Sequence, residues 1–135
     1  MKSVGILRYS PKLLGDRASE KWWLVLDCDE SLGAYYRHLY WLAHFRTERL
    51  VRPAWREHVT VIRNEEPVNR GVWERHTGKA IEFEYNPMPQ TNGDYWWLEV
   101  VCVELFTIRE ELGLAREPEI PFHVSFGHEG ERMAT

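Results

Sequence analysis

The chain has 135 residues, 44% apolar and 28% charged, a length and balance that specify one globular domain over residues 1–135 and exclude a disordered or low-complexity chain. Seventeen Lys and Arg against 21 Asp and Glu give a net charge of −4, which argues against a long nucleic acid held by counterion release. A small anion in a locally basic pocket remains compatible with that balance.

Two cysteines, Cys28 and Cys102, sit in apolar stretches without metal-ligand spacing and are expected as packed free thiols. The N-terminus MKSVGILRYS lacks the apolar core of a signal peptide, and no run approaches the ~18 apolar residues that span a bilayer. The expectation is a cytoplasmic protein with no membrane partner.

Val4 to Tyr9 is a short apolar stretch stopped by Ser10-Pro11, and KLLGDRASEK after it has the character of a loop. Trp22 to Cys28 is short, apolar and β-rich, hence a buried strand. Asp29 or Ser31 can cap a helix whose apolar positions Leu32, Tyr35, Tyr36, Leu39, Leu42 and Ala43 keep three-and-four spacing, running to about Leu50 before Arg52-Pro53. His58 to Arg63 is the next strand, followed by NEEPVNRGVWERHTG as a loop with at most a short helix. Lys79 to Tyr85 alternates as a half-exposed strand, and Tyr95 to Val103 pairs with it across a turn-rich connection. Glu104 to Leu112 is a helix ending at Gly113, Phe122 to Phe126 is a last strand, and the tail from Glu129 is polar.

Each half of this order holds a strand, a helix and then a strand with a histidine. The expected fold is α+β: two pseudo-symmetric lobes whose antiparallel sheets face a central cleft, with helices outside.

The chemistry lies in the two histidine strands, His58-Val59-Thr60-Val61 and His123-Val124-Ser125-Phe126, placed 65 residues apart. In a strand, residues i and i+2 share a face, so each strand presents an imidazole and a hydroxyl on one side and buries apolar side chains on the other. Two such strands across a cleft supply one imidazole to take a proton and one to give it, with two hydroxyls for the oxygens of a phosphate. Imidazole titrates near pH ~6.5, so opposite protonation states are attainable at neutral pH without a metal or other cofactor. Thr and Ser are poor zinc ligands, and no His-x-His or cysteine pair accompanies them. A single His-x-Thr is a weak signal; the doubled one is specific. His38 and His44 fall on the first helix, His76 in a loop, and His128 just beyond the last strand.

These motifs, HVTV and HVSF, each preceded by a strand and a helix, resemble the 2H phosphoesterase superfamily over Trp22 to His128. LRYSP, KWWLVLD, YYRHLY, RPAWREHVTVIRNEEP and IPFHVSFGH are similar to its small phage-encoded anti-CBASS phosphodiesterases. That resemblance implies cleavage of cyclic di- and trinucleotide signals in a host bacterial cytoplasm. His58 and His123 would act as base and acid in either order, Thr60 and Ser125 would clamp the phosphate, and no obligatory protein partner would be needed. Two other functions fit the same residues: hydrolysis of 2′,3′-cyclic phosphates or 2′–5′ linkages in RNA repair, and a non-catalytic nucleotide sponge.

Bases need stacking partners, worth about 1–3 kcal/mol each. Tyr9 and Trp73 lie outside the obvious strands and are the expected substrate-binding aromatics, although a loop-anchoring Trp73 explains its position equally well. Arg8, Arg56 and Arg63 flank the motifs and can add positive field. Ten residues follow Ser125, so a base-contacting lid is expected to be short or missing.

Overall fold

A computed structural model describes residues 1–10, 22–53 and 55–129, so the loop expected over 11–21 and most of the polar tail lie outside the described residues. In chain order the elements are β1 (Lys2–Tyr9), β2 (Trp23–Cys28), α1 (Glu30–Ala43), β3 (His58–Arg63), a 3-10 turn (Arg70–Val72), β4 (Ala80–Tyr85), β5 (Gln90–Thr91), β6 (Tyr95–Val101), α2 (Val103–Glu111) and β7 (His123–His128).

The strands do not form two sheets facing a cleft. They make one sheet in the order β4-β1-β2-β3-β7-β6, which β4 and β6 close through Glu84 opposite Val101 and Tyr85 opposite Val100. The expected α+β two-lobe fold is therefore corrected to a mostly-sheet, closed six-stranded antiparallel barrel with two helices, to which β5 adds a short flap on β6. The physical reason is edge pairing. Two separate sheets would leave unpaired edges at β3 and β7, whereas Val59 pairs with Val124 and joins the halves through the main chain.

The pairing scheme nonetheless repeats. Exchanging β1, β2 and β3 for β4, β6 and β7 maps the sheet onto itself, down to a bulge in each inner pair. Opposite Leu24 and Val25 stand Ile62 and Thr60, leaving Val61 over; opposite Trp96 and Trp97 stand Gly127 and Ser125, leaving Phe126 over. A bulge turns two successive side chains toward the same side. Hence Val61 and Ile62 are both buried in β3, and Phe126 and Gly127 in β7.

One face of the sheet carries Leu7, Leu26, Val59, Phe83, Leu98 and Val124, all at most 1% exposed, and packs in one core with Leu32, Tyr36 and Tyr40 of α1 and Leu105 and Ile108 of α2. The other face holds the motif side chains. Cys28 and Cys102 are free and buried as expected, and burial pushes the Cys28 thiol up to about 12.

α1 departs from its expected length and face. Asp29 caps it by accepting from the Ser31 N–H at 2.9 Å. It stops at Ala43, not near Leu50, because Phe45 and Arg46 take left-handed φ of 56° and 62° and turn the chain so that Leu50 enters the core. Its buried stripe is Leu32, Gly33, Tyr36 and Tyr40, while Tyr35, Leu39 and Leu42 are exposed. The docking point is Gly33, where a Cβ would stand 2.3 Å from Glu57 Oε1, so only glycine lets the helix lie this close to the chain before β3.

Candidate active site

The seam between β3 and β7 brings the two motifs side by side. Val59 faces Val124, and continuing that antiparallel register by one residue each way sets His58 opposite Ser125 and Thr60 opposite His123. Each imidazole thus neighbours the hydroxyl of the other half, and the two histidines are cross-strand diagonals, about 7–8 Å apart at the backbone.

Both rings are held the same way. His58 Nδ1 lies 2.7 Å from the Arg56 carbonyl and His123 Nδ1 lies 2.9 Å from the Pro121 carbonyl, in each case two residues back along the chain. A carbonyl only accepts, so Nδ1 carries the proton and Nε2 is left to exchange one. The Thr60 and Ser125 hydroxyls have no hydrogen-bond partner among the described residues. Each ring also meets a tryptophan edge-on, His58 against Trp55 at 6.3 Å and His123 against Trp97 at 6.4 Å.

The surroundings of the two histidines differ in charge. Asp27 stands opposite His58 across β2, and Glu99 stands opposite His123 across β6. Arg8 grips Asp27 at 2.9 and 3.2 Å, and its guanidinium lies over Trp55 at 5.4 Å. Glu99 has no ion-pair partner among the described residues. Burial holds His58 below the usual imidazole value, with the charges of His123 and Arg63 pushing the same way against the Arg56 carbonyl and Asp27. Taking a base out of water disfavours its charged form, so His58 rests neutral.

Two cavities open on either side of His123. One, of about 520 Å³, is lined by Asn92, Tyr95, Trp97, Glu99 and Ser125 among others; the second, of about 440 Å³, by Thr60, Arg63, Asn64 and Glu119. His123 and Ile120 belong to both.

Behind the seam, each helix braces the opposite motif strand. Arg37 of α1 donates to the Phe126 carbonyl at 2.8 Å and pairs with Glu57 at 2.6 Å. Arg109 of α2 donates to the Val61 carbonyl at 2.9 Å and grips Glu65 through two nitrogens. Val61 and Phe126 are the residues left over by the two bulges, and an unpaired buried carbonyl needs a donor.

The structure brings His58, Thr60, His123 and Ser125 together. Tyr9 and Trp73 are elsewhere: their rings meet edge-on at 5.0 Å, Trp73 also meets Trp22 at 5.2 Å, both pack on the core, and neither lines the two cavities. Arg8 and Arg63 reach the site, whereas Arg56 donates to the Cys28 carbonyl at 3.3 Å. His44 bonds the Tyr40 carbonyl, His76 pairs with Glu111, His128 packs beside Tyr95, and His38 lines a separate hollow along α1. The sequence pattern left open which of Trp96 and Trp97 lines the site, and it did not single out Asp27, Glu99 or the two bracing arginines. The available signals were an acid inside the apolar run WLVLDC and an arginine on the apolar side of each helix.

Among the described residues no three His, Cys, Asp or Glu side chains cluster as metal ligands, and no helix is long and apolar enough to cross a membrane. No protein-family model, curated protein or solved structure matches the chain.

Proposed function

We propose that the protein is a metal-independent phosphodiesterase that cleaves the 3′–5′ bonds of cyclic di- and trinucleotides to linear products. The observation that carries this reading is the seam itself, where two imidazoles with exchangeable Nε2 atoms alternate with two hydroxyls that have no hydrogen-bond partner among the described residues.

In the reaction, His58, resting neutral, takes the proton of a ribose 2′-hydroxyl while the 2′-oxygen attacks phosphorus. His123 gives its proton to the departing 5′-oxygen as the P–O5′ bond breaks. The product is a linear nucleotide with a 2′,3′-cyclic phosphate end and a free 5′-hydroxyl. Thr60 and Ser125 donate to the non-bridging oxygens, where fixed donors stabilise charge that builds in the transition state. Cavities on both sides of His123 suit a compact ligand with an arm on each side of the phosphate, and the net charge of −4 disfavours a polymer. The biological setting that accompanies this substrate class is evasion of CBASS immunity by a phage in the bacterial cytoplasm.

Incubating the purified protein with 3′,3′-cyclic GMP-AMP and other cyclic di- and trinucleotides in EDTA tests the reading. Linear products are expected. No turnover of any of them would remove it.

A further inference from the structure

The two halves of the sheet repeat closely at the seam, and beside the difference in charge they differ on its reactive side in the residue opposite each hydroxyl. Val25 of β2 stands opposite Thr60, and Trp97 of β6 stands at the equivalent place opposite Ser125. Val25 is fully buried, whereas Trp97 lines the larger cavity with Tyr95, and the one ring contact of Trp97 among the described residues is edge-on to His123. A half-buried indole that lines a cavity and has no aromatic ring stacked on it among the described residues, beside a reactive imidazole and the Ser125 hydroxyl, offers a stacking surface. On the same wall Asn92, whose Oδ1 accepts from the Asp94 and Tyr95 N–H groups, offers its amide NH2, and Glu99 offers a carboxylate with no ion pair among the described residues, to the polar edge of whatever stacks there.

We propose that this cavity is a nucleobase subsite, with Trp97 as its stacking platform, and that it holds the base on the His123 side of the bound phosphate. The inference rests on the seam being a phosphodiester site, because the position of the base is set by that of the phosphate. Recognition is one-sided: the equivalent position in the first half carries an aliphatic side chain that cannot stack. Substitution of Trp97 therefore raises KM more than it lowers kcat, since it touches the base and not the reacting atoms.

The test uses the whole chain labelled with nitrogen-15 and follows the Trp97 indole N–H, identified as the resonance missing from Trp97→Phe. GMP is expected to shift that resonance and ribose 5-phosphate to leave it in place. Trp97→Leu is expected to weaken GMP binding about tenfold while Trp97→Phe, which keeps an aromatic face, stays within about threefold of the parent. The subsite is overturned if ribose 5-phosphate shifts the resonance as GMP does, or if Trp97→Leu binds GMP as tightly as the parent. GMP binding at Trp97 without cleavage of any cyclic nucleotide would remove the phosphodiesterase reading and leave the subsite standing. Cleavage with an unchanged KM in Trp97→Leu would do the reverse.

Discussion

Arg37, on the helix of the first half, donates to the main-chain carbonyl of Phe126, in the motif strand of the second half, at 2.8 Å. Arg109 returns the contact from the second half to Val61 in the first, at 2.9 Å. The exchange crosses the seam twice, so neither motif strand can shift along the other without breaking a charged hydrogen bond to a buried acceptor.

That brace sets a first expectation. Arg109 is 1% exposed and serves the Val61 and Ala115 carbonyls as well as Glu65. Arg109→Met strands those acceptors and is expected to lower the unfolding free energy by about 3 kcal/mol, read from urea denaturation. A change under about 0.5 kcal/mol, the size of an ordinary surface substitution, would show that the brace contributes nothing.

The imidazoles are expected to matter for turnover without holding the fold. His58→Ala and His123→Ala should each lower kcat on a cyclic dinucleotide by about 10²–10⁴ while leaving the thermal midpoint near the parent value. Thr60→Val and Ser125→Ala, which remove a donor from the phosphate, should each cost about 10²–10³ in kcat. Single-turnover kinetics on the four variants checks this.

His58 sets an expected pH dependence of stability and of turnover. Its folded value lies below the ordinary ~6.5, so the unfolded chain binds more protons in the window between the two, and stability rises with pH there. The stability gained by keeping His58 neutral is complete above ~6.5 and is lost as pH falls through the folded value. As base, His58 must be neutral, so the acid limb of the kcat/KM profile, which reports the free protein, should fall below pH ~6.5. Asp27 pulls His58 upward, so Asp27→Asn should move that limb to lower pH. A limb that stays in place would show that His58 is not the base.

Gly33 tests the docking of α1. A Cβ there would meet Glu57 Oε1 at 2.3 Å, whereas one at Gly71 would meet nothing within 4 Å. Gly33→Ala should cost about 1–3 kcal/mol through overpacking, with Gly71→Ala near neutral, and paired thermal melts distinguish them.

Alternation within HVTV and HVSF placed an imidazole and a hydroxyl on one face of each motif strand, because that geometry is local: the period of two depends only on the strand's own backbone. A cap at Asp29 or Ser31 was also legible locally, the structure using Asp29, and the apolar stretches around the cysteines indicated their burial. The bulges were not legible, since they belong to pairs of strands, and neither was the buried stripe of α1, which follows the contact between Gly33 and Glu57 instead of the strongest apolar spacing. The placement of the stacking candidates was not legible either. Tyr9, at the end of β1, and Trp73, in the connection before β4, found each other, while Trp97, one of an adjacent pair on β6, lines the cavity.

By itself, then, the chain determined which side chains could do chemistry and which way each motif strand presents them. The pairing of β4 with β6 was legible as well; only the tertiary structure decided that the two motif strands pair directly, so that this pairing closes a barrel, and that the helical arginines cross between halves. Direct pairing of the motif strands depends on which backbone edges meet, a choice made between Val59 and Val124, about 65 positions apart along the chain, and written in no local pattern.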